Sequence, residues 1–170
     1  MATNFVRFTT LPALLSLAML LLDAASHPAR HTPRPQQASS QDGKVRRSYH
    51  EQPPTETLPT TLDAAQFTEN KTAFVAYSIA AKIPTLLYQE PCYCPCDKME
   101  GHQSLLDCYT SQHGVHCHIC ARGVIFTYEQ ARAGKSPAEI RAAMEEGGLW
   151  EFDREKYVDA HYSEYKHARD

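Results

Sequence analysis

From residue 70 onward, apolar side chains recur at helical spacing, which predicts two long helices over residues 70–83 and residues 118–133. The second is apolar almost all round, as is typical of a helix buried by its neighbours. No run of alternating apolar and polar residues bounded by turn residues stands out. The fold class is therefore predicted to be all-α. The apolar face of the first helix consists of Phe74, Val75, Ile79 and Ile83.

Capping residues mark the ends of a third helix. Ser136, Pro137 and Glu139 occupy the N-cap, first-turn and capping-box positions in order. Gly134 is placed to end the helix before it, and Gly147 to end this one. We therefore expect a helix over residues 137–146.

Two further helices are predicted from weaker patterns. Ser104 followed by Asp107 resembles a capped start, which gives a short helix through residue 111. Residues 149–170 mix aromatic and charged side chains, and we expect an amphipathic helix that packs on the domain, or alternatively an aromatic tail that binds a partner. The residues that would share one face of this helix are Trp150, Arg154, Tyr157, His161 and Tyr165.

The first 26 residues have the pattern of an export signal. Arg7 precedes an apolar run over residues 11–22, and small residues follow up to Ser26, where a peptidase could cut. A run of twelve residues is too short to cross about 30 Å of hydrocarbon comfortably as a helix. The alternative is an uncleaved N-terminal anchor. We expect a protein that is exported to the periplasm or the extracellular space.

The rest of the chain divides by composition. Residues 27–59 are rich in Pro, Gln, Ser and Thr, and are predicted to be a disordered tether because they can bury little apolar surface. Residues 60–148 form the predicted helical domain, and residues 149–170 the C-terminal helix or tail.

The 170-residue chain has a formal net charge of -3, which argues against a nucleic-acid partner. Its hydropathy excludes a protein with several membrane spans.

All six cysteines fall within the 29 residues from Cys92 to Cys120. Cys92, Cys94 and Cys96 alternate with single residues, and flanking prolines keep this segment out of a helix. If the segment were extended, Cys92 and Cys96 would lie about 13 Å apart. Sulfurs that share one ion must approach to about 4 Å, because metal–sulfur bonds measure about 2.3 Å. Either the loop curls around one ion, or the row serves several ions or partners.

Further candidate ligands lie just downstream. Cys108 falls in the short predicted helix, and Cys117 and Cys120 form a Cys-x-x-Cys pair at the start of the long one, where the helix N-terminus favours thiolate. Of four nearby histidines, His102 is the best candidate, and His113 resembles a surface turn residue. Of the two histidines that flank Cys117, we expect only one to face the site: His116 or His118.

Three uses of these cysteines stay open. Thiolates with some imidazole suit Cu(I), Zn(II) or an iron–sulfur cluster. Exported domains also use cysteines as disulfide staples, although three thiols in five residues gain little from loop closure. The third use is thiol–disulfide exchange. No phosphate-binding glycine loop, nucleophile elbow or His-Glu-x-x-His helix is present, so any catalysis must come from the sulfurs or a bound metal.

The sequence resembles a known family in its cysteine segment. The strings PCYCPC at residues 91–96 and GHQSL at residues 101–105, followed by Cys108, Cys117 and Cys120, are similar to the CYCXC family of bacterial exported proteins and selenoproteins, and to the related PCYCGC-motif lipoproteins. The resemblance covers roughly residues 62–147. No cysteine stands directly after the apolar N-terminal run, so we do not expect the lipid anchor of the lipoprotein relatives.

What the resemblance implies is redox chemistry or soft-metal ligation, because some members carry selenocysteine in place of cysteine. The leading hypothesis is binding of a soft metal ion, copper first and zinc second. The runner-up is an extracytoplasmic oxidoreductase in which Cys117 attacks, Cys120 resolves and the row containing Cys94 relays electrons. A disulfide-stapled interaction module is the third hypothesis. We expect a membrane contact only through an uncleaved signal segment. The functional set that the resemblance implies is Cys92, Cys94, Cys96, His102, Cys108, Cys117 and Cys120.

Overall fold

The computed structural model describes residues 47–168, which contain helices and no strand, so the all-α prediction is confirmed. The predicted signal segment and most of the predicted tether lie outside these residues. Two 3₁₀ turns, at Ala64–Phe67 and Leu106–Tyr109, accompany the α-helices. The helices are α1 (Lys71–Ala80), α2 (Pro84–Tyr88), α3 (Cys96–Met99), α4 (His113–His116), α5 (His118–Arg132), α6 (Pro137–Glu145), α7 (Gly148–Glu151) and α8 (Arg154–His167).

Helix α1 is the first predicted helix and supplies much of the core. The Asn70 side chain accepts a hydrogen bond from the backbone N–H of Ala73 and so caps the helix. Phe74, Val75 and Ile79 are buried, as the spacing predicts. The helix stops at Ala80, three residues short of the prediction, because the chain turns there so that Pro84 can start α2.

Helices α5 and α6 confirm the strongest local signals of the sequence. The buried face of α5 includes Val124 and Ile125. Gly134 has φ +84°, a left-handed conformation that suits glycine at the end of a helix. Ser136 and Glu139 form both hydrogen bonds of a capping box at the start of α6.

The predicted helix over residues 104–111 is reduced to a single 3₁₀ turn. The Asp107 carboxylate accepts the backbone N–H groups of Gln103 and Ser104, which closes a tight local turn. The 3₁₀ turn itself then spans Leu106–Tyr109. This turn carries Cys108 into the core.

The C-terminal helix is present as α8 and packs on α1. Tyr157 and Tyr165 are buried, as predicted for its inward face, and the ring of Tyr162 packs edge-on against Phe74. Trp150 does not share this face, because it lies on the separate turn α7 and is 52 % exposed. Within residues 47–168, no helix combines the length and apolar character needed to cross a bilayer.

Residues 47–59 contain no helix, but side chains at their start contact the cysteine segment and its neighbours. The Arg47 guanidinium donates to the Tyr93 carbonyl (3.0 Å) and lies over the Tyr93 ring. The His50 ring stacks on Tyr88 at a centroid distance of 3.8 Å. This stretch therefore covers one side of the loop that carries the first three cysteines.

Candidate metal centre

The loop that carries the first three cysteines curls back on itself between α2 and α3. Its entry is held by the backbone N–H of Leu105, which donates to the Glu90 carbonyl (2.8 Å). Pro95 is the N-cap of α3, and the Cys96 carbonyl accepts the N–H groups of Glu100 (2.8 Å) and His102 (3.2 Å). The loop is thus curled rather than extended.

The curl brings the sulfurs of the loop into mutual contact. The Sγ of Cys92 lies 3.1 Å from that of Cys94 and 3.9 Å from that of Cys96. All three side chains are buried, with at most 6 % exposed. These separations replace the distance of about 13 Å that an extended chain would give.

Two downstream cysteines join the same cluster. The 3₁₀ turn at Leu106–Tyr109 places the Sγ of Cys108 3.5 Å from that of Cys92. The first turn of α5 places the Sγ of Cys120 3.5 Å from Cys92, 3.6 Å from Cys94 and 3.4 Å from Cys108. Five sulfurs that are separated by up to 28 residues in the chain therefore form one buried cluster.

Two tyrosine hydroxyls donate hydrogen bonds to the backbone of the segments that carry Cys108 and Cys120. Tyr109 donates to the Cys120 carbonyl (2.7 Å), and Tyr77 donates to the Ser111 carbonyl (2.6 Å) and to the Cys108 carbonyl (3.4 Å). Both rings are buried and pack edge-to-face at a centroid distance of 5.0 Å. The elements that carry Cys108 and Cys120 are therefore fixed by hydrogen bonds as well as by packing.

Among residues 47–168, two groups of donor atoms are close enough to hold a metal ion. Within each group every pair of ligand atoms lies within 4.8 Å. The sulfurs of Cys96 and Cys120 belong to both groups. The first group is Cys92, Cys96, Cys108 and Cys120, and the second is Cys94, Cys96, His113 and Cys120.

The structure distributes the histidines differently from the sequence prediction. His113, interpreted from sequence as a surface turn residue, places its Nε2 2.9 Å from the Sγ of Cys96 because α4 turns it toward the cluster, so that interpretation was wrong. The Nδ1 of His102 lies 3.3 Å from the Sγ of Cys108, outside both groups. His116 and His118 are both exposed, and neither belongs to a ligand group among the described residues.

Cys117 lies beside the cluster rather than in it. It is the N-cap of α5, and its Sγ accepts the backbone N–H of Cys120 (3.4 Å). It belongs to neither ligand group among the described residues, and its side chain is only half-buried. It lines a surface hollow of about 260 Å³ together with His116, His118 and Arg154. This cysteine is therefore the one of the six that solvent reaches most readily.

The structure pairs Cys94 with Cys96 as a disulfide. The other four cysteines have free thiols: Cys92, Cys108, Cys117 and Cys120. A disulfide sulfur has no thiolate charge to offer an ion, so this bond and metal ligation by Cys94 and Cys96 exclude one another. The cluster can thus be reduced and ligating, or oxidised at this one pair.

The thiols of the cluster influence each other's ionisation. Hydrogen bonds from Cys108 and then from Cys120 lower the pKa of Cys92 to about 3. Contact with Cys108, followed by contacts with Cys117 and Cys92, raises the pKa of Cys120 above its ordinary value. Hydrogen bonding with Cys120 lowers the pKa of Cys117 to about 6. For Cys108, the hydrogen bond with Cys120 lowers the pKa, but contact with Cys92 and burial outweigh it and raise the pKa. The contacts between these thiols therefore favour the thiolate form at Cys92 and the protonated form at Cys108 and Cys120.

Comparison with known proteins identifies the family of the chain. The model of a family described as "Protein of unknown function with PCYCGC motif" matches residues 13–165. The chain belongs to this family. Its own version of the PCYCGC motif is PCYCPC at residues 91–96, with Pro95 in place of the motif's glycine. No curated protein and no solved structure matches the chain.

The motif that defines the family lies in the segment that forms the sulfur cluster, but the family's description assigns no function. The three cysteines of the PCYCGC motif correspond to Cys92, Cys94 and Cys96, which each enter a ligand group. Any functional conclusion for this PCYCGC protein must therefore come from the chemistry of its own residues.

Proposed function

We propose that this PCYCGC-family protein is exported and binds a soft metal ion, copper or zinc, through its buried thiolate cluster. One observation carries the proposal: the sulfurs of four cysteines from three separate segments lie within 4.8 Å of one another. Buried thiolates that converge in this way are the ligands that Cu(I) and Zn(II) prefer, whereas magnesium and calcium prefer oxygen.

The spacing of these sulfurs fits a four-coordinate ion. With metal–sulfur bonds of about 2.3 Å, the sulfurs of a tetrahedral site lie about 3.8 Å apart. The Sγ of Cys92 lies 3.9, 3.5 and 3.5 Å from those of Cys96, Cys108 and Cys120. The reduced cluster therefore needs only small movements to enclose an ion.

The export part of the proposal is supported by the first 26 residues, which combine a positive start, a short apolar run and small residues at a cleavage position. In an oxidising compartment, clustered thiols form disulfides unless a metal or a reductant protects them. Three of the free thiols in the described structure, those of Cys92, Cys108 and Cys120, belong to the cluster, which is consistent with protection by a bound ion.

A second candidate function is thiol–disulfide exchange, and one contact favours it. The free thiol of Cys92 lies 3.1 Å from the Sγ of Cys94, which is bonded to Cys96. Attack by the Cys92 thiolate on Cys94 would form a Cys92–Cys94 bond and release Cys96 as the thiolate, with no net oxidation. An external thiol or disulfide would have to supply or remove the electron pair. The stapled-module hypothesis has less support, because the one disulfide among the described residues closes a loop of only a few residues.

The test is a metal-affinity measurement on the fully reduced full chain. Zn(II) and Cu(I) are each titrated against a competing chelator, and the same titration is run on Cys120→Ser and on Cys117→Ser. The proposal expects tight binding that Cys120→Ser loses and Cys117→Ser largely keeps, because only Cys120 belongs to the ligand groups. If the reduced protein binds neither ion more tightly than Cys120→Ser does, metal binding is rejected and the exchange function is favoured.

A further inference from the structure

The two ligand groups share a pair of sulfurs. Cys96 and Cys120 belong to both, while each group has two donors of its own. We propose that the cluster holds two soft metal ions bridged by the sulfurs of Cys96 and Cys120, and this rests on the proposed metal-binding function. One ion has Cys92 and Cys108 as its terminal ligands, and the other has Cys94 and His113.

Counting metal–ligand bonds supports two ions. Two four-coordinate ions need eight bonds, and the two groups together contain six donors. Six donors supply eight bonds when two of them bridge, and the two groups have two members in common. A single ion in the first group would leave Cys94 and His113 without a role, although both lie in the cluster.

The net charge of the buried site also favours two ions. Five deprotonated cysteines around one divalent ion would leave three net negative charges in a site whose sulfurs are buried. A second divalent ion reduces this excess to one. Because uncompensated charge is costly in a buried site, the second ion makes full deprotonation of the five thiols possible.

His113 is held in place for the second group. The neighbouring Gly114 packs so closely that an added Cβ would lie 2.7 Å from the Cys108 carbonyl oxygen and 3.1 Å from the Tyr77 hydroxyl. Helix α4 therefore cannot shift easily, and the imidazole Nε2 stays at the Sγ of Cys96.

His102 has a different part in this arrangement. Its Nδ1 lies 3.3 Å from the Sγ of Cys108, and its ring packs edge-on against that of His113 at a centroid distance of 5.1 Å. A hydrogen bond from an imidazole N–H to a terminal thiolate orients that ligand without adding a metal bond. His102 is thus a positioning residue in this proposal.

The test is a titration of the reduced full chain with Co(II), which replaces Zn(II) in thiolate sites and reports its surroundings in its absorption and magnetic resonance spectra. The proposal expects tetrahedral thiolate absorption that grows up to two equivalents. Between the first and second equivalent, the Co(II) resonance signal should fall, because ions that share thiolate bridges couple magnetically. Saturation at one equivalent would overturn the proposal, as would two equivalents with uncoupled signals.

Single substitutions separate the two groups. His113→Gln should reduce the stoichiometry to one ion and abolish the coupling, since it removes a ligand of the second group alone. The matched control is His116→Gln on the same helix, which is exposed and should keep both ions. If His113→Gln still binds two coupled ions, the assignment of His113 is wrong. If the unaltered chain shows no thiolate-bound Co(II), the two-ion arrangement is overturned; the proposed function itself fails only if the Zn(II) and Cu(I) titrations also show no binding.

Discussion

The Nε2 of His113 lies 2.9 Å from the Sγ of Cys96, although 17 positions separate the two residues. Each residue lies on a helix of only four residues, α4 and α3. These short helices do not contribute much stability by themselves. Their positions are set by the packing of the core around them, which turns an isolated imidazole into a member of a thiolate cluster.

The disulfide between Cys94 and Cys96 should compete with metal binding. When a small-molecule disulfide oxidises this pair, two thiolates lose an electron pair to form the bond, and the added disulfide is reduced to two thiols. We expect loaded metal to be released in step with this bond, because Cys96 belongs to both ligand groups. Mass spectrometry of peptides and metal analysis follow the two events. Full metal content in a protein with the Cys94–Cys96 bond would contradict the assignment.

Cys117 should be the first cysteine to react with an alkylating reagent in the metal-free reduced protein. It is half-exposed, and its pKa is lowered to about 6 by hydrogen bonding with Cys120. A lowered pKa means that the thiolate is present above that pH and is lost below it. The rate of reaction with iodoacetamide should therefore rise as the pH increases through about 6 and then level off. Equal reactivity of Cys117 and the buried Cys108 would contradict this, as peptide mapping would reveal.

Replacing Gly114 by alanine should disturb the backbone that positions the thiolate cluster. The added Cβ would come within 2.7 Å of the Cys108 carbonyl oxygen, so the backbone of one element must move. We expect a loss of unfolding free energy of about 1–3 kcal/mol and weaker metal binding. The control is Gly134→Ala, at a left-handed position with open space around it, which should cost stability without changing metal affinity. Thermal melts and chelator competition measure both, and unchanged metal affinity in Gly114→Ala would count against the packing argument.

Glu90 is a buried acid whose carboxylate oxygens accept no hydrogen bond from the described residues. Among residues 47–168 its charge partner is Arg141, with a shortest N–O distance of 3.7 Å. Burial raises its pKa to about 8, against the lowering effect of Arg141. A raised pKa makes the folded state lose stability as the pH rises from about 4 to about 8, because the unfolded carboxyl ionises more easily.

We therefore expect Glu90→Gln to stabilise the metal-free protein at pH 8 by on the order of 2 kcal/mol, and the gain to vanish near pH 4. Denaturant unfolding at both pH values measures this. Glu100→Gln, at an exposed position, serves as the control and should change little at either pH. A less stable Glu90→Gln at pH 8 would mean that the ion pair with Arg141 outweighs the cost of burying the carboxylate.

Local signals predict the helices of this chain well and the ligand set less well. The capping box at Ser136 and the stop at Gly134 depend on neighbouring residues, which a sequence displays directly. His113 was missed because its role depends on how α4 packs, and an exposed turn beside glycine has the same local pattern. A histidine within a few residues of several cysteines was the only available signal.

Two other differences between prediction and structure, the position of Cys117 and the length of the helix after Ser104, have similar causes. Cys117 and Cys120 are spaced as a ligand pair, yet the N-cap position directs Cys117 to the surface hollow while Cys120 enters the core. The short helix predicted from Ser104 becomes a single turn because the Asp107 side chain bonds to nearby backbone N–H groups. In each case tertiary packing or a local side-chain bond decided between alternatives that the sequence left open.

The most direct measurement of metal binding is elemental analysis together with free-thiol counting on one sample of protein, purified from the periplasm or medium without air, chelators or added reductant. We expect a soft metal in stoichiometric amount, and five cysteines that react with thiol reagents only after the metal is removed. A metal-free protein with all six cysteines in disulfides would contradict it.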